Sequence, residues 1–143
     1  MIVDLQNKNI KEIFDIEQYC QDKNIDINQI KELYCDDKQL SELKGLDKLV
    51  NLEFLNCNNN KLRELKGLDK LVNLKCLFCN NNKLTELNLN KLINLKWISC
   101  SSNKLKELEL HKLINLLTLY CDNNKLTELK GLDKLVNLRE LKK

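Results

Sequence analysis

The chain has 143 residues, of which 24 are basic and 21 are acidic, giving a formal net charge of +3. This length fits one ordinary domain, and the interspersed charges favour no strongly basic face, so we expect no nucleic-acid partner. Hydrophobic residues make up 43% of the chain, but no apolar run approaches the ~18 residues of a membrane span, and we expect no membrane partner. The N-terminus "MIVDLQNKNIKEIF" lacks the features of a secretory signal, which predicts a cytoplasmic, intracellular protein.

The first predicted element is an amphipathic helix near the N-terminus. Residues 8–23, "KNIKEIFDIEQYCQDK", place Ile10, Ile13, Phe14, Ile16 and Cys20 close to helical spacing. We expect this helix to close the first coil of the repeats that follow, and we assign residues 1–29 as an N-terminal helical cap. A partner-binding helix is the less favoured interpretation.

From residue 30 onward a leucine pattern repeats every 21 or 22 residues. Its units start at Ile30, Leu52, Leu74, Leu95, Leu116 and Leu138. Each full unit carries the pattern L-x-x-L-x-C-x-x-N-x-L or a close variant, so residues 30–143 contain five full units and a truncated sixth.

This unit resembles the leucine-rich repeat family, in particular the 22-residue class of internalins and of the repeat subunits that regulate protein phosphatases. The resemblance implies an α/β repeat solenoid, a right-handed superhelix with a concave parallel β-sheet and a convex side of 3₁₀ turns and loops. The physical reason is that Leu55 and Cys57 alternate as the inward face of a strand, and one coil cannot bury that face without a stacked neighbour.

The three glycines, Gly45, Gly67 and Gly131, all fall at one position of the repeat. This placement indicates a backbone with positive φ, or a close approach that a side chain would prevent. The two 21-residue units lack this glycine, and we expect their convex turns to be built differently.

Five cysteines form one column of the stacked repeats: Cys35, Cys57, Cys79, Cys100 and Cys121. A row of thiols about 4.8 Å apart cannot surround a zinc ion, and parallel Cβ vectors disfavour a disulfide. We therefore favour a packing role over metal or redox chemistry, and we expect no metal and no cofactor.

A second column contains Asn60, Asn82, Asn103 and Asn124. Where the chain leaves each strand, backbone groups need partners, and an asparagine amide offers both donors and an acceptor. We interpret this column as a structural ladder. The first repeat carries Lys38 at this position, which breaks the ladder.

The outward positions of the strands form the candidate binding surface, the concave face. Five of the seven aromatic residues fall there. The residues predicted to contact a partner are Tyr34, Phe54, Asn56, Phe78, Asn80, Trp97, Ser99, Tyr120 and Asp122. Aromatic anchors among polar residues are typical of protein recognition, although cross-strand aromatic pairs that only stabilise the sheet are the alternative. Cys76 is the one repeat cysteine expected on this open face.

No catalytic motif is present, and His111 is the only histidine, so the sequence predicts a non-enzymatic protein. The favoured function is a protein interaction module that binds an unknown protein or peptide. The alternative is a structural or self-assembling protein that pairs through its C-terminal edge, because "LVNLRELKK" stops within a strand. We accordingly expect a monomer or a weak end-to-end homodimer, unless the sequence is cut from a longer chain.

Overall fold

The computed structural model describes all 143 residues, and its regular elements are one helix and eleven short strands. In chain order they are β1 (Ile2–Asp4), β2 (Glu12–Asp15), α1 (Ile16–Lys23), β3 (Glu32–Tyr34), β4 (Leu40–Lys44), β5 (Phe54–Asn56), β6 (Cys76–Phe78), β7 (Trp97–Ser99), β8 (Glu107–Glu109), β9 (Thr118–Tyr120), β10 (Glu128–Lys130) and β11 (Glu140–Lys142). No helix is long and apolar enough to cross a membrane.

Seven strands form one parallel sheet in the order β1-β3-β5-β6-β7-β9-β11. Each strand pairs in register with the strand one repeat away, so that Leu55 lies opposite Leu77 and Leu77 lies opposite Ile98. These central residues are 0% exposed, whereas the residues on either side of them face the opposite way. The predicted solenoid with one parallel sheet is confirmed.

The opposite side of the solenoid contains two short parallel sheets and several 3₁₀ turns. Strand β2 pairs with β4, and β8 pairs with β10. After the glycine position, 3₁₀ turns form at Leu46–Lys48, Leu68–Lys70 and Leu132–Lys134. The two 21-residue units have no 3₁₀ turn there, so their convex turns do differ, as predicted.

The N-terminal segment differs from the predicted helical cap. The helix α1 begins at Ile16 rather than near residue 8, and Asp15 caps it by accepting a hydrogen bond from the Gln18 backbone N–H. Before the helix, β1 extends the main sheet, with Val3 opposite Leu33, and Phe14 of β2 lies opposite Leu43. The prediction of a helix over residues 8–15 is wrong, because those residues follow the repeat's own strand pattern.

The space between the sheets is filled by one cluster of 36 buried hydrophobic residues. Leucines from every coil supply most of it, and the cysteine column lies within it. Burial decreases towards the C-terminal end, where Leu126, Leu129 and Leu132 are only partly buried. The core thus fixes the spacing of the coils, and with it the positions of the outward side chains on the sheet.

Candidate functional site

The asparagine column connects each coil to its neighbours and holds the edge of the concave face in place. The Asn82 amide donates to the Cys57 carbonyl at 2.9 Å and to the Cys79 carbonyl at 3.2 Å. Its Oδ1 accepts from the Leu62 backbone N–H at 3.0 Å. Asn60, Asn103 and Asn124 make the same set of bonds in their own coils.

Lys38 takes the place of asparagine in the first full repeat. Its ammonium group donates to the backbone carbonyls of Gln6 and Lys8 in the preceding coil. The lysine therefore joins these two coils by a different route, with a charged donor in place of the amide.

The cysteine column is part of the core. Cys35, Cys57, Cys79, Cys100 and Cys121 are each at most 1% exposed. Burial raises the pKa of Cys57 to about 12, because the apolar surroundings disfavour the charged thiolate. No group of three or more His, Cys, Asp or Glu side chains is placed to hold a metal ion.

Five aromatic side chains form a continuous row across the concave face, which we call the aromatic row. Its members are Tyr34, Phe54, Phe78, Trp97 and Tyr120. Successive ring centroids are 4.9, 5.4, 5.8 and 6.3 Å apart. The first three contacts are tilted and the last is edge-on, which are favourable arrangements for aromatic pairs.

The row follows a zigzag because its members alternate between the third and the first residue of successive strands. Phe54 opens β5 and lies opposite Cys76, whereas Phe78 closes β6 and lies opposite Ser99. Each ring therefore meets the next along a diagonal of the sheet, within reach of large side chains. The five residues and the possibility of cross-strand pairs were predictable from the sequence, whereas the diagonal arrangement of the rings follows from the strand register.

Exposure distinguishes one member of the row, Trp97, from the other four. The Trp97 side chain is the most exposed of the five, at 40% of the residue's surface, while the other four rings are partly buried. Ser99 is only 6% exposed, since it lies in register between Phe78 and Tyr120. Ser99 thus has little surface left for a partner, and its hydroxyl donates to Asn80 Oδ1 at 2.9 Å. Its contact with a partner stays a prediction.

A hydrogen-bonded polar edge runs beside the aromatic row. Asn56 donates to Asp36 at 3.2 Å, and the Asn80 backbone N–H donates to Asn58 Oδ1 at 2.7 Å. At the other end the Ser101 hydroxyl donates to Asp122 at 2.5 Å. This bond and Lys142 hold the pKa of Asp122 below its usual value. The polar side chains are thus fixed in direction before any partner arrives.

The two tyrosines at the ends of the row are held by carboxylates. Tyr34 donates its hydroxyl to Glu32 at 2.9 Å, and Tyr120 donates to Glu140 at 2.5 Å. Each hydrogen bond raises the pKa of its tyrosine, because a neighbouring carboxylate disfavours the phenolate. Both phenols therefore remain protonated donors at neutral pH.

Charges border the other edge of the sheet. Glu53 forms ion pairs with Lys31 at 2.9 Å and with Lys75 at 2.5 Å. Hydrogen bonds from Lys75 and Lys31 lower the pKa of Glu53 to about 2. The glutamate thereby offsets part of the positive charge along this edge, which disfavours a nucleic-acid surface.

Cys76 lies on the concave face between Phe54 and Trp97 in the strand register. Its side chain is partly exposed, unlike the five core cysteines. Partial burial raises the pKa of its thiol, and Lys96 and Lys75 only partly oppose that effect. The thiol is therefore accessible but is a weak nucleophile at neutral pH.

Comparison with known proteins agrees with the repeat geometry. A family model described as "Leucine Rich repeats (2 copies)" matches residues 50–92. Among solved structures, the functional domain of InlJ from Listeria monocytogenes is 31% identical over 88% of this chain, with a TM-score of 0.77. The chain is a leucine-rich repeat solenoid. That InlJ domain is described as including a cysteine ladder.

Two further solved structures share this leucine-rich repeat fold. Internalin C2 from Listeria monocytogenes has a TM-score of 0.74 at 23% identity, covering 98% of this chain and 69% of its own. The ectodomain of the receptor kinase GASSHO1/SCHENGEN3 from Arabidopsis thaliana, in complex with CASPARIAN STRIP INTEGRITY FACTOR 2, has a TM-score of 0.71 at 25% identity over 80% of this chain.

The leucine-rich repeat chain is much shorter than some of these proteins. It spans 26% of the InlJ chain and 15% of the receptor ectodomain. A comparison with curated protein sequences gave no match.

Proposed function

We propose that this leucine-rich repeat chain is a non-catalytic interaction module that binds a protein or peptide through its concave face. The observation that carries the proposal is the aromatic row, which crosses five strands and leaves its fourth member, Trp97, 40% exposed. Large rings surrounded by polar groups supply most of the affinity in many protein interfaces.

The geometry of the row favours binding over a purely stabilising role. The coils are already held together by the buried leucines and by the asparagine column, so the sheet does not depend on rings on its outer face. The rings are also supported by their neighbours and bordered by a hydrogen-bonded polar edge. A surface fixed in this way loses little side-chain entropy when a partner binds.

The comparisons support the class of function and leave the partner open. Leucine-rich repeat domains are typically protein-interaction modules, and the Arabidopsis ectodomain was solved in complex with another factor. This chain spans only a small part of that ectodomain, so its own partner has to be found by experiment.

Capture with matched variants tests the proposal. The wild-type chain, the Phe78→Ala/Trp97→Ala variant and the control variant Thr85→Ala/Thr127→Ala would serve as immobilised baits. Thr85 and Thr127 are exposed and lie outside the concave strands, so the control should retain every partner. The proposal expects a partner that the wild type and the control retain and the aromatic variant loses. Equal retention by all three folded baits would contradict it.

The cytoplasmic location expected from the sequence is a further part of the proposal. All seven cysteines are free thiols, which is typical of proteins in reducing compartments. Cell fractionation with an antibody against the chain tests this location. Recovery of the chain outside the cytoplasm would contradict it.

A second candidate function is self-association through the C-terminal edge of the sheet. Leu141 of β11 is 38% exposed, whereas Leu119, its counterpart in β9, is 0% exposed. The same end of the solenoid has a cavity of about 380 Å³ whose lining includes Leu126, Leu129 and Leu132. The exposed Leu141 and these partly buried leucines favour contact with another apolar surface.

The charges of β11 suit a two-fold pair. If two copies of β11 pair antiparallel about Leu141, Glu140 lies opposite Lys142 of the second copy, and such cross-strand pairs are favourable. The mass measured by light scattering should then rise with concentration, and Leu141→Lys should abolish that rise. A monomeric mass at every concentration would rule out this candidate.

A further inference from the structure

An exposed line of aliphatic side chains runs along the edge where the chain enters the concave strands, and neither the core nor the proposed binding face uses it. We call it the aliphatic ridge. Its members are Val50, Val72, Ile93, Ile114 and Val136, with exposures of 42%, 44%, 50%, 53% and 81%. One member comes from each of five successive coils, always two residues before the start of the next repeat.

The ridge is held in position by a second set of asparagine amides. The Asn73 amide donates to the Val50 carbonyl at 3.0 Å, and the Asn94 amide donates to the Val72 carbonyl at 2.9 Å. The amides of Asn115 and Asn137 continue the series on Ile93 and Ile114. With coils about 4.8 Å apart, the five side chains form a line roughly 20 Å long.

Basic residues precede and follow the ridge members at fixed positions in the sequence of each repeat. On one side are Lys48, Lys70, Lys91, Lys112 and Lys134, each two residues before a ridge member. On the other side are Lys31, Lys75, Lys96 and Arg139, which follow the first residue of their repeats. Glu53 occupies the corresponding position of the second repeat and offsets part of the charge of Lys31 and Lys75. The ion-paired lysines of both columns nevertheless have side chains that are at least half exposed.

Two coils of the ridge, those of Ile93 and Ile114, lack the acidic residue that precedes the lysine in the other coils. In the other coils an aspartate directly precedes the lysine and forms an ion pair with it. The distances are 3.7 Å for Asp47–Lys48, 3.8 Å for Asp69–Lys70 and 3.5 Å for Asp133–Lys134. In the two central coils this acidic residue is replaced by Asn90 and His111. Lys91 still pairs with Asp69 of the preceding coil at 3.3 Å, so Lys112, beside Ile114, is the one lysine of this column that forms no ion pair.

We propose that the aliphatic ridge docks on an anionic lipid surface. Its aliphatic side chains would enter the boundary between headgroups and acyl chains, and the flanking lysines would contact anionic headgroups. A second copy of this chain is a poor occupant, because two such ridges would bring like charges together. A protein partner would need a narrow groove with acidic walls, whereas a lipid surface conforms to a single projecting line of side chains.

The expected absence of a membrane partner rested on runs of apolar residues along the sequence. The ridge is not such a run, since its members are 21 or 22 residues apart and meet only when the coils stack. It also lies outside the concave positions, so this inference does not depend on the proposed protein-binding function.

Co-sedimentation with vesicles tests the inference. The full chain would be mixed with vesicles of phosphatidylcholine and phosphatidylglycerol, and separately with vesicles of phosphatidylcholine alone. We expect sedimentation with the anionic vesicles only, weakened by added salt. The Ile93→Ser/Ile114→Ser variant should bind about tenfold more weakly, because two exposed aliphatic side chains are removed. The Lys91→Gln/Lys112→Gln variant should also bind more weakly.

The Phe78→Ala/Trp97→Ala variant is the matched control and should sediment like the wild type. Circular dichroism would show that all variants are folded, which exposed positions should permit. No sedimentation of the wild type would overturn the inference, as would binding that the isoleucine variant retains in full. If only the lysine variant lost vesicle binding, the binding would be nonspecific charge attraction. That result would also overturn docking through the ridge.

Discussion

At the scale of single residues, each coil leaves the concave sheet through one residue in the left-handed region. These residues are Asp37, Asn59, Asn81, Ser102 and Asn123, with φ between 53° and 57°. Asparagine and aspartate adopt this conformation more readily than most residues. The runs of asparagine in the sequence therefore serve two purposes, a left-handed turn and, one residue later, the ladder amide. The sequence indicated the second purpose and not the first.

The ladder amide makes a strong prediction about stability. Asn82→Ala removes the partners of two buried carbonyls and one backbone N–H, which should reduce the free energy of unfolding by about 1–3 kcal/mol. Asn88 is exposed, so Asn88→Ala is the control and should change stability by less than about 0.5 kcal/mol. Urea denaturation of both variants measures the difference, and equal midpoints would contradict the assigned role.

The glycines of the repeat have a positive φ, and some of them also lie very close to the neighbouring coil. Substitutions can separate these two constraints. Gly67 has a φ of +86°, and a Cβ there would lie 2.7 Å from the Asp47 Cβ and 2.9 Å from its backbone nitrogen. Gly45 has a φ of +79°, but its added Cβ would approach nothing nearer than 3.4 Å. Gly45→Ala should therefore cost about 1–2 kcal/mol from backbone strain alone.

Gly67→Ala should destabilise the chain more than Gly45→Ala, because the neighbouring coil must also move. Thermal or urea unfolding of the two variants compares them directly. If Gly45→Ala proved the more damaging, close approach between coils would not explain the glycine.

The thiols should differ sharply in reactivity. Burial raises the pKa of Cys57 to about 12 and also raises that of Cys76, but only Cys76 is partly exposed. Alkylation of the native chain at about pH 8 should therefore label Cys76 first and slowly, with the remaining thiols protected until denaturant is added. Mass spectrometry locates the label. Rapid labelling of Cys57 or of the other buried cysteines of its column in the native chain would contradict their packing role. The control variant Cys76→Ser should lose the slow native label.

At the scale of elements, the N-terminal segment shows the limit of pattern recognition. Ile10, Ile13 and Phe14 fit helical spacing, yet Glu12–Asp15 is a strand and the helix begins only at Ile16. Over so short a stretch the apolar residues fit both periods, and pairing with β4 decides between them. The main sheet was predictable because the repeat fixes its strands, while β1 departs from the leucine-cysteine pattern.

The first coil should therefore contribute to stability as the later coils do. Leu5 follows β1 and is 0% exposed, whereas Ile2 in the same segment is 59% exposed. Leu5→Ala should destabilise the chain by about 2–5 kcal/mol, and Ile2→Ala should change stability by less than about 0.5 kcal/mol. Urea denaturation tests this pair of variants, and a Leu5→Ala variant as stable as the wild type would show that residues 1–5 lie outside the folded core.

The contacts within the aromatic row depend on the strand register as well as on the identity of its residues. Its five members could be read from the sequence, but their contacts required Phe54 opposite Cys76 and Phe78 opposite Ser99. Likewise the burial of Ser99 follows from the large rings on either side of it. The aliphatic ridge was not predicted from the sequence, because its members are 21 or 22 residues apart and come together only when the coils stack.

At the scale of the whole molecule, the solenoid presents separate surfaces with different chemistry. The concave face carries the aromatic row and its polar edge, and the ridge carries aliphatic and basic residues. The two are tested by different variants, so one can fail without the other. The concave face is the proposed protein-binding surface, and Trp97 is the most exposed ring of its aromatic row.

Trp97 is the only tryptophan, which allows that claim to be measured without a mutation. A chain labelled with 5-fluorotryptophan should give a single ¹⁹F resonance, which reports on the most exposed ring of the aromatic row. We predict that a captured partner, added as purified unlabelled protein, shifts or broadens this resonance. The change should reach its maximum at the stoichiometry of the complex. A complex shown to form by light scattering while the Trp97 resonance stays unchanged would place the partner elsewhere and contradict the account.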